Sequence, residues 1–245
     1  MHSAWEEAGW ERLGDGVARR RMPGWDETVG VIAGSTGVMI VDTGATLRDG
    51  ADLRRAIRGV LGREVTHVAL THPHFDHVLG TAAFSGVEVF GAAGLADLLR
   101  REGDELRRDA VRHGVGREAA AEAADLLVGP HHHVHGELTV DLGDRQVLLA
   151  NVGPGHTAHD LAVLVPGRGG AREIVFCGDL VEESGEPSAG LDAMPQQWPA
   201  ALDRLLSLGG EEAVYVPGHG ATVDAAFVRA QRDALTVRFG TPPSP

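Results

Sequence analysis

The chain contains no lysine; all 22 of its basic residues are arginine. That bias reflects genome composition and excludes no reaction. A single cysteine, Cys177, excludes an internal disulfide and agrees with a reducing compartment. No apolar run approaches the ~20 residues that span a bilayer, so no membrane segment is expected. The opening stretch MHSAWEEAGWERLGDG is polar and acidic, without the basic start and apolar middle of a secretory signal. A soluble, cytoplasmic protein is the expectation. Positive charge is in deficit overall, with a formal net charge of −13, and such a surface repels polyanions. A small-molecule substrate is therefore expected rather than nucleic acid. Internal repeats and long linkers are also missing. At 245 residues and 43% hydrophobic composition, one large domain with an ample core is the simplest reading.

What is present is an alternation of short strands and helices. VARRRM, ETVGVIAG and TGVMIVDTG read as an antiparallel start. RDGADLRRAIRGVLG spaces Leu53, Ala56, Ile57, Val60 and Leu61 helically and stops at Gly62. The strand VTHVAL then delivers the chain into LTHPHFDHVLG, which opens into a helix over HVLGTAAF. After VEVFG, residues 94–128 read as a helical arm broken near Gly114 and Gly116. A hairpin turns around Gly143-Asp144. The strands DLAVLVPG and REIVFCGDL, the helix WPAALDRLLSLG with Pro199 in its first turn, the strand EAVYVPGHG and a helix near 222–237 complete the chain. Two such halves predict an α/β fold, an αββα sandwich of two mixed sheets packed face to face with helices outside.

LTHPHFDHVLG places His72, His74, Asp76 and His77 within six positions. Three further segments put a metal-ligating side chain just past a strand's end: GPGHT with His156, FCGDL with Asp179 and VPGHG with His219. Glycine beside each permits tight turns and close backbone approach. Five histidines and two aspartates are the donors that Zn²⁺, Fe²⁺ or Mn²⁺ accept. Seven ligands exceed one tetrahedral ion and suit two. HHHVH at 131–135 is less suited to a metal, because neighbours in an extended segment point to opposite faces. It reads as exposed loop histidines or a pocket rim, with His133 the candidate. Cys177 reads as a buried strand residue.

THPHFDH, followed in order by GHT, GD and PGHG, with VDTGA upstream, resembles the metallo-β-lactamase superfamily. The resemblance implies one such domain over 1–245 with a helical insertion at about 94–128. It further implies that His72, His74 and His156 bind a first metal, that Asp76, His77 and His219 bind a second, and that Asp179 bridges the two. Asp42 would hold ligand loops in place, as would Asp160 in GHTAHD, there as a cap or supporting partner rather than a ligand. Aspartate at 179 is similar to the glyoxalase II-like branch, whereas some β-lactamases carry cysteine there.

The activity so implied is a hydrolase with two divalent ions, zinc first with Fe²⁺ or Mn²⁺ as alternatives. A bridging hydroxide, oriented by Asp76, would attack a small ester, thioester, lactone or phosphodiester-like bond. The 26 residues after His219 hold only Arg229, Arg232 and Arg238 as basic groups, which argues against glutathione thioesters. DLVEESGEPSAG lacks the tyrosine that lactonases often place after the bridging aspartate. The substrate pocket is expected from the variable parts, namely the helical arm at 94–128, the histidine loop and EESGEPSAGLDAMPQQW, with Met194 and Trp198 as candidates for an apolar wall. The alternatives are a mononuclear iron persulfide dioxygenase using His72, His156 and Asp179, β-lactam hydrolysis, and a non-catalytic metal-binding module. A homodimer is compatible with all of them.

Overall fold

The computed structural model describes residues 4–240. A short helix α1 (Ala4–Glu7) precedes β1 (Glu11–Gly14), β2 (Val17–Arg21), β3 (Thr28–Ala33) and β4 (Val38–Val41), each strand antiparallel to the one before. Helix α2 (Leu47–Leu61) starts at Thr46, whose hydroxyl accepts the Asp49 N–H at 3.1 Å, and stops at Gly62, where φ is 65°. It buries Leu53 and Ile57 and returns the chain to β5 (His67–Ala69), parallel to β4. Helix α3 (Phe75–Val78), a 3₁₀ turn (Thr81–Ala83), β6 (Glu88–Ala92), α4 (Leu95–Arg112), α5 (Arg117–Asp125) and β7 (His132–Val134) complete a seven-stranded sheet in the order β1 to β7. The second sheet contains β8 (Glu137–Asp141), β9 (Gln146–Asn151), β10 (Leu161–Val165), β11 (Ile174–Glu182) and β12 (Val214–His219), in the order β12-β11-β10-β9-β8. Helix α6 (Trp198–Gly209) links β11 to the parallel β12, and α7 (Ala225–Phe239) follows.

Both sheets are mixed and they pack face to face, giving the αββα sandwich. The reason lies in strands that are apolar on both sides. In β4, Met39 and Val41 enter the layer between the sheets while Val38 and Ile40 face α2 and its neighbours. In β10, Leu161, Val163 and Val165 enter that same layer, and Ala162 and Leu164 face α6 and α7. Burying both faces in this way requires helices outside each sheet. Among the described residues no helix is long and apolar enough to cross a membrane.

Local differences from the sequence reading have physical causes. HVLGTAAF is not one helix: α3 begins at Phe75 and ends at Val78. Gly80 donates its N–H to the Gly44 carbonyl at 3.0 Å rather than to the preceding turn, and having no Cβ it can lie against the Thr43 carbonyl, so the helix ends here. The 131–135 run contains a strand, β7, which pairs parallel with β6 and buries only Val134.

Candidate metal centre

The strand ends converge. Asp42 follows β4, His72 follows β5 and α3 supplies Asp76 and His77, while His156 lies after β9, Asp179 within β11 and His219 at the end of β12. Two glycines make the approach possible. Gly178 adopts φ 53°, a conformation side chains disfavour, where the β11–β12 register slips. A Cβ on Gly218 would sit 1.8 Å from Asp179 Oδ1, so only hydrogen fits there. Gly218→Ala should therefore displace the Asp179 carboxylate; metal content measured per folded chain should fall, and an alanine variant with wild-type content would contradict this packing.

Donor atoms of His72, His74, His156 and Asp179 form one group within 4.8 Å, and those of Asp76, His77 and His219 form another. Asp179 lies between them. Its Oδ2 is 3.6 Å from His72 Nε2, 3.5 Å from His156 Nε2 and 3.4 Å from His219 Nε2, while its Oδ1 is 3.3 Å from His77 Nε2. Asp76 Oδ2 stands 3.4 Å from both His77 Nε2 and His219 Nε2. Donors about 2.0–2.1 Å from a tetrahedral cation are about 3.3–3.4 Å apart, which is the spacing found.

On four of the five rings the opposite nitrogen is tied down, which fixes the one that points inward, while His156 Nδ1 is buried without a partner among the described residues. His77 Nδ1 donates to Asp42 Oδ2 at 2.9 Å, and His219 Nδ1 to the Trp25 carbonyl at 2.8 Å. His74 Nε2 donates to Asp192 Oδ2 at 3.0 Å, which leaves Nδ1 inward, 3.0 Å from His156 Nε2. The Thr71 hydroxyl gives its one proton to Asp42 Oδ2 at 2.7 Å and so accepts from His72 Nδ1 at 2.9 Å. His72 Nε2, His77 Nε2 and Asp179 Oδ1 are then buried with no hydrogen-bond partner among the described residues. Buried polar atoms left without partners are costly. Converging imidazole and carboxylate donors with such atoms fit divalent cations.

Electrostatics supports the same fit. Burial holds His72 neutral and pushes His156 down to about 4, the form that binds a cation. At Asp76 and Asp179 burial works the other way, but the imidazoles around them, His77 for Asp76 and His72 and His77 for Asp179, hold both well below the usual carboxylate range. Against burial, Asp76 and Asp179 raise His77 well above its ordinary value, and hydrogen bonds to the same two carboxylates raise His219 to about 11. Without a cation, protons on those two rings balance the carboxylates.

The supporting residues extend beyond those visible in the motifs. Asp160 is buried and accepts the Thr157 hydroxyl at 2.7 Å, which pins the His156 loop. Asp192, from the segment before α6, orients His74 across 118 residues of sequence. Arg19 is buried and donates to the Gly220 carbonyl at 2.8 Å while pairing with Glu11, fastening the loop after His219 to β2. Glu27 bridges through its backbone to His219, and burial, aided by Asp76, pushes its carboxyl up to about 8. No motif marks Asp192, Arg19 or Glu27.

A cavity of about 600 Å³ opens over the two groups. Its apolar wall comes from Trp25, Phe75, Leu98, Leu99, Leu106 and Leu191. The expected wall residues lie elsewhere. Trp198 is fully buried, its indole donating to the Leu180 carbonyl at 3.0 Å and its ring set edge-on to His156, so it packs beneath the site. Met194 is outside the lining, with its backbone N–H on the Gly155 carbonyl. His133 is exposed on β7 and does not reach the cavity; neighbouring His132 stacks on Phe90 and bonds Glu88. Cys177 is buried in β11, with its thiol on the Val175 carbonyl, and takes no part.

The profile of the metallo-beta-lactamase superfamily matches residues 22–219. The chain belongs to that superfamily and has its metal-dependent hydrolase fold. Similar proteins include metallo-beta-lactamase domain-containing protein 1 of Xenopus laevis, 27% identical over 80% of this chain and 71% of its own length. Metallo-beta-lactamase type 2 of Bacillus cereus is 23% identical over 84% of this chain and 71% of its own. Among solved structures, TMB-1 superposes with a TM-score of 0.70 at 22% identity, covering 94% of this chain and 97% of its own. The mono-zinc form of FIM-1 from Pseudomonas aeruginosa gives 0.68 at 21% identity, covering 95% and 96%.

Proposed function

We propose that the protein is a dinuclear metal hydrolase that cleaves a small ester, thioester, lactone or phosphodiester-like bond. The observation that carries this reading is the position of Asp179, whose two oxygens face both groups of donors at 3.3–3.6 Å. His72, His74 and His156 would hold one ion, Asp76, His77 and His219 the other, and Asp179 both. The all-nitrogen and oxygen donor set suits zinc. When bound, such ions lower the pKa of water and polarise the scissile bond.

The chain's own residues prepare the site for that chemistry. Asp42 and Thr71 keep His72 and His77 in the tautomers that aim Nε2 inward. Asp192 does the same for His74 Nδ1, and the Trp25 carbonyl for His219 Nε2. Asp76 places a carboxylate oxygen at the cavity floor between His77 and His219, where it orients a proton-bearing group. Trp25 and Phe75, edge to face at 5.5 Å, shield one side from water. Likeness to β-lactamases at 19–23% identity carries the fold and leaves the substrate to be argued from the cavity.

The test is removal of metal with a chelator, followed by a panel of thioesters, lactones and phosphodiesters. Hydrolysis should vanish with the metal and return when zinc is restored. Turnover that survives complete removal would sink the proposal.

A further inference from the structure

The cavity is sorted by charge as well as by polarity. Besides the proposed ligands, it is lined by five carboxylates, Glu102, Glu105, Asp109, Glu182 and Asp192, against one guanidinium, Arg112. That guanidinium is already committed: its Nη2 donates to Glu105 Oε1 at 3.0 Å and to Asp109 Oδ1 at 2.9 Å. His113 stacks on Phe75 with its Nδ1 3.3 Å from Asp109, so it offers no free cation either. Asp192 is occupied by His74, and Glu182 accepts the Ser184 N–H and hydroxyl. Glu102, exposed on α4, has no ion-pair or hydrogen-bond partner among the described residues.

Glu105 is held by Arg108 as well, at 2.9 and 2.6 Å, so the uncompensated charge at this rim is Glu102, and a carboxylate or phosphate away from the scissile bond would find no free guanidinium to receive it. An ammonium would meet Glu102. On α4, Leu98 and the largely buried Leu106 flank Glu102 at one-turn spacing, and Leu191, on the segment before α6, lines the same cavity fully exposed. An exposed leucine at a cavity mouth gains by covering an apolar chain.

Building on the hydrolase reading, we infer that the substrate is an ester or thioester with an apolar acyl arm and a non-reacting end that is cationic or uncharged. The arm lies against Leu191, and the cationic end faces Glu102. Substrates with an anionic group away from the scissile bond, among them carboxylate-bearing β-lactams and glutathione thioesters, are disfavoured by the same charge.

Three S-octanoyl thioesters that share an acyl chain test this: those of thiocholine, N-acetylcysteamine and 3-mercaptopropionate. The cationic ester should exceed the anionic one in kcat/KM by at least about tenfold at low salt. That ratio should shrink at about 1 M salt, where screening leaves a range of about 3 Å. Glu102→Arg should narrow or invert it. An anionic ester turned over as well as the cationic one overturns the inference. Calorimetry of the metal-loaded protein with octyltrimethylammonium and octanesulfonate, neither hydrolysable, separates binding from turnover. Tighter ammonium binding without cleavage of any ester upholds the charge preference and overturns the hydrolase reading. Sulfonate bound as tightly as ammonium overturns the preference whatever the turnover.

Discussion

Asp179→Ala should empty both metal positions, whereas His219→Ala should chiefly empty one. The difference follows from the two side chains' neighbours. Asp179 reaches His72, His156 and His219 with one oxygen and His77 with the other, so its loss removes a donor from each group. His219 Nε2 faces Asp76 and Asp179, its ring meets His77 edge-on, and its outer nitrogen is spent on the Trp25 carbonyl. The expected metal content is well under one ion per chain for Asp179→Ala and about one for His219→Ala. Hydrolysis should fall by at least about a thousandfold in the first variant, since the charge that stabilises the developing oxyanion is lost. Elemental analysis of both proteins at matched concentration checks this. Equal stoichiometry in the two variants would contradict the shared role of Asp179.

Asp42→Ala should destabilise the fold as well as the site. The Asp42 carboxylate is buried and accepts three hydrogen bonds: the Thr71 N–H at 2.8 Å, the Thr71 hydroxyl at 2.7 Å and His77 Nδ1 at 2.9 Å. Its backbone sits at φ 61°, a region that aspartate and asparagine tolerate better than alanine. Truncation leaves three buried donors unpaired and retains the strain, which together should cost about 3–5 kcal/mol in denaturant unfolding. Asp42→Asn keeps the backbone preference but sets an amide N–H against one of the donors. It should be milder in unfolding, yet bind metal about 10–100-fold more weakly, because the tautomers of His72 and His77 are no longer enforced. An alanine variant within about 1 kcal/mol of wild type would show that the three bonds do not act as described.

The seven converging donors were legible in the sequence because four are crowded into THPHFDH behind an apolar strand and the other three stand beside glycines at or near the ends of apolar strands. Alternating burial in β4 and β10 likewise follows from runs of apolar residues that can satisfy two layers. What was hidden depends on contacts between distant segments. Asp192 meets His74 across 118 residues, and Arg19 meets Gly220 across 201. A lone acidic or basic residue in a polar stretch gives no hint of such a partner. Trp198 illustrates ambiguity of another kind: a tryptophan at the start of an amphipathic helix suits a pocket or a core equally, and here Leu180 and Ala201 bury it in the core. The cavity wall comes from the helical arm and from the segment before α6, the variable parts where a pocket was expected, but which leucines of α4 face it could not be told from helical spacing. In HVLGTAAF the helix is ended where the Gly80 N–H turns to the Gly44 carbonyl, a contact between segments that local propensity does not show.

Metal content per chain is the most direct measurement of the central claim. The wild-type protein should be made without added metal, kept from oxygen and submitted to elemental analysis. About two zinc ions per chain, falling to about one in His219→Ala, is the expected result. One iron per chain, unchanged when His219 is replaced, would contradict a dinuclear hydrolase and turn attention to oxygen uptake with a persulfide.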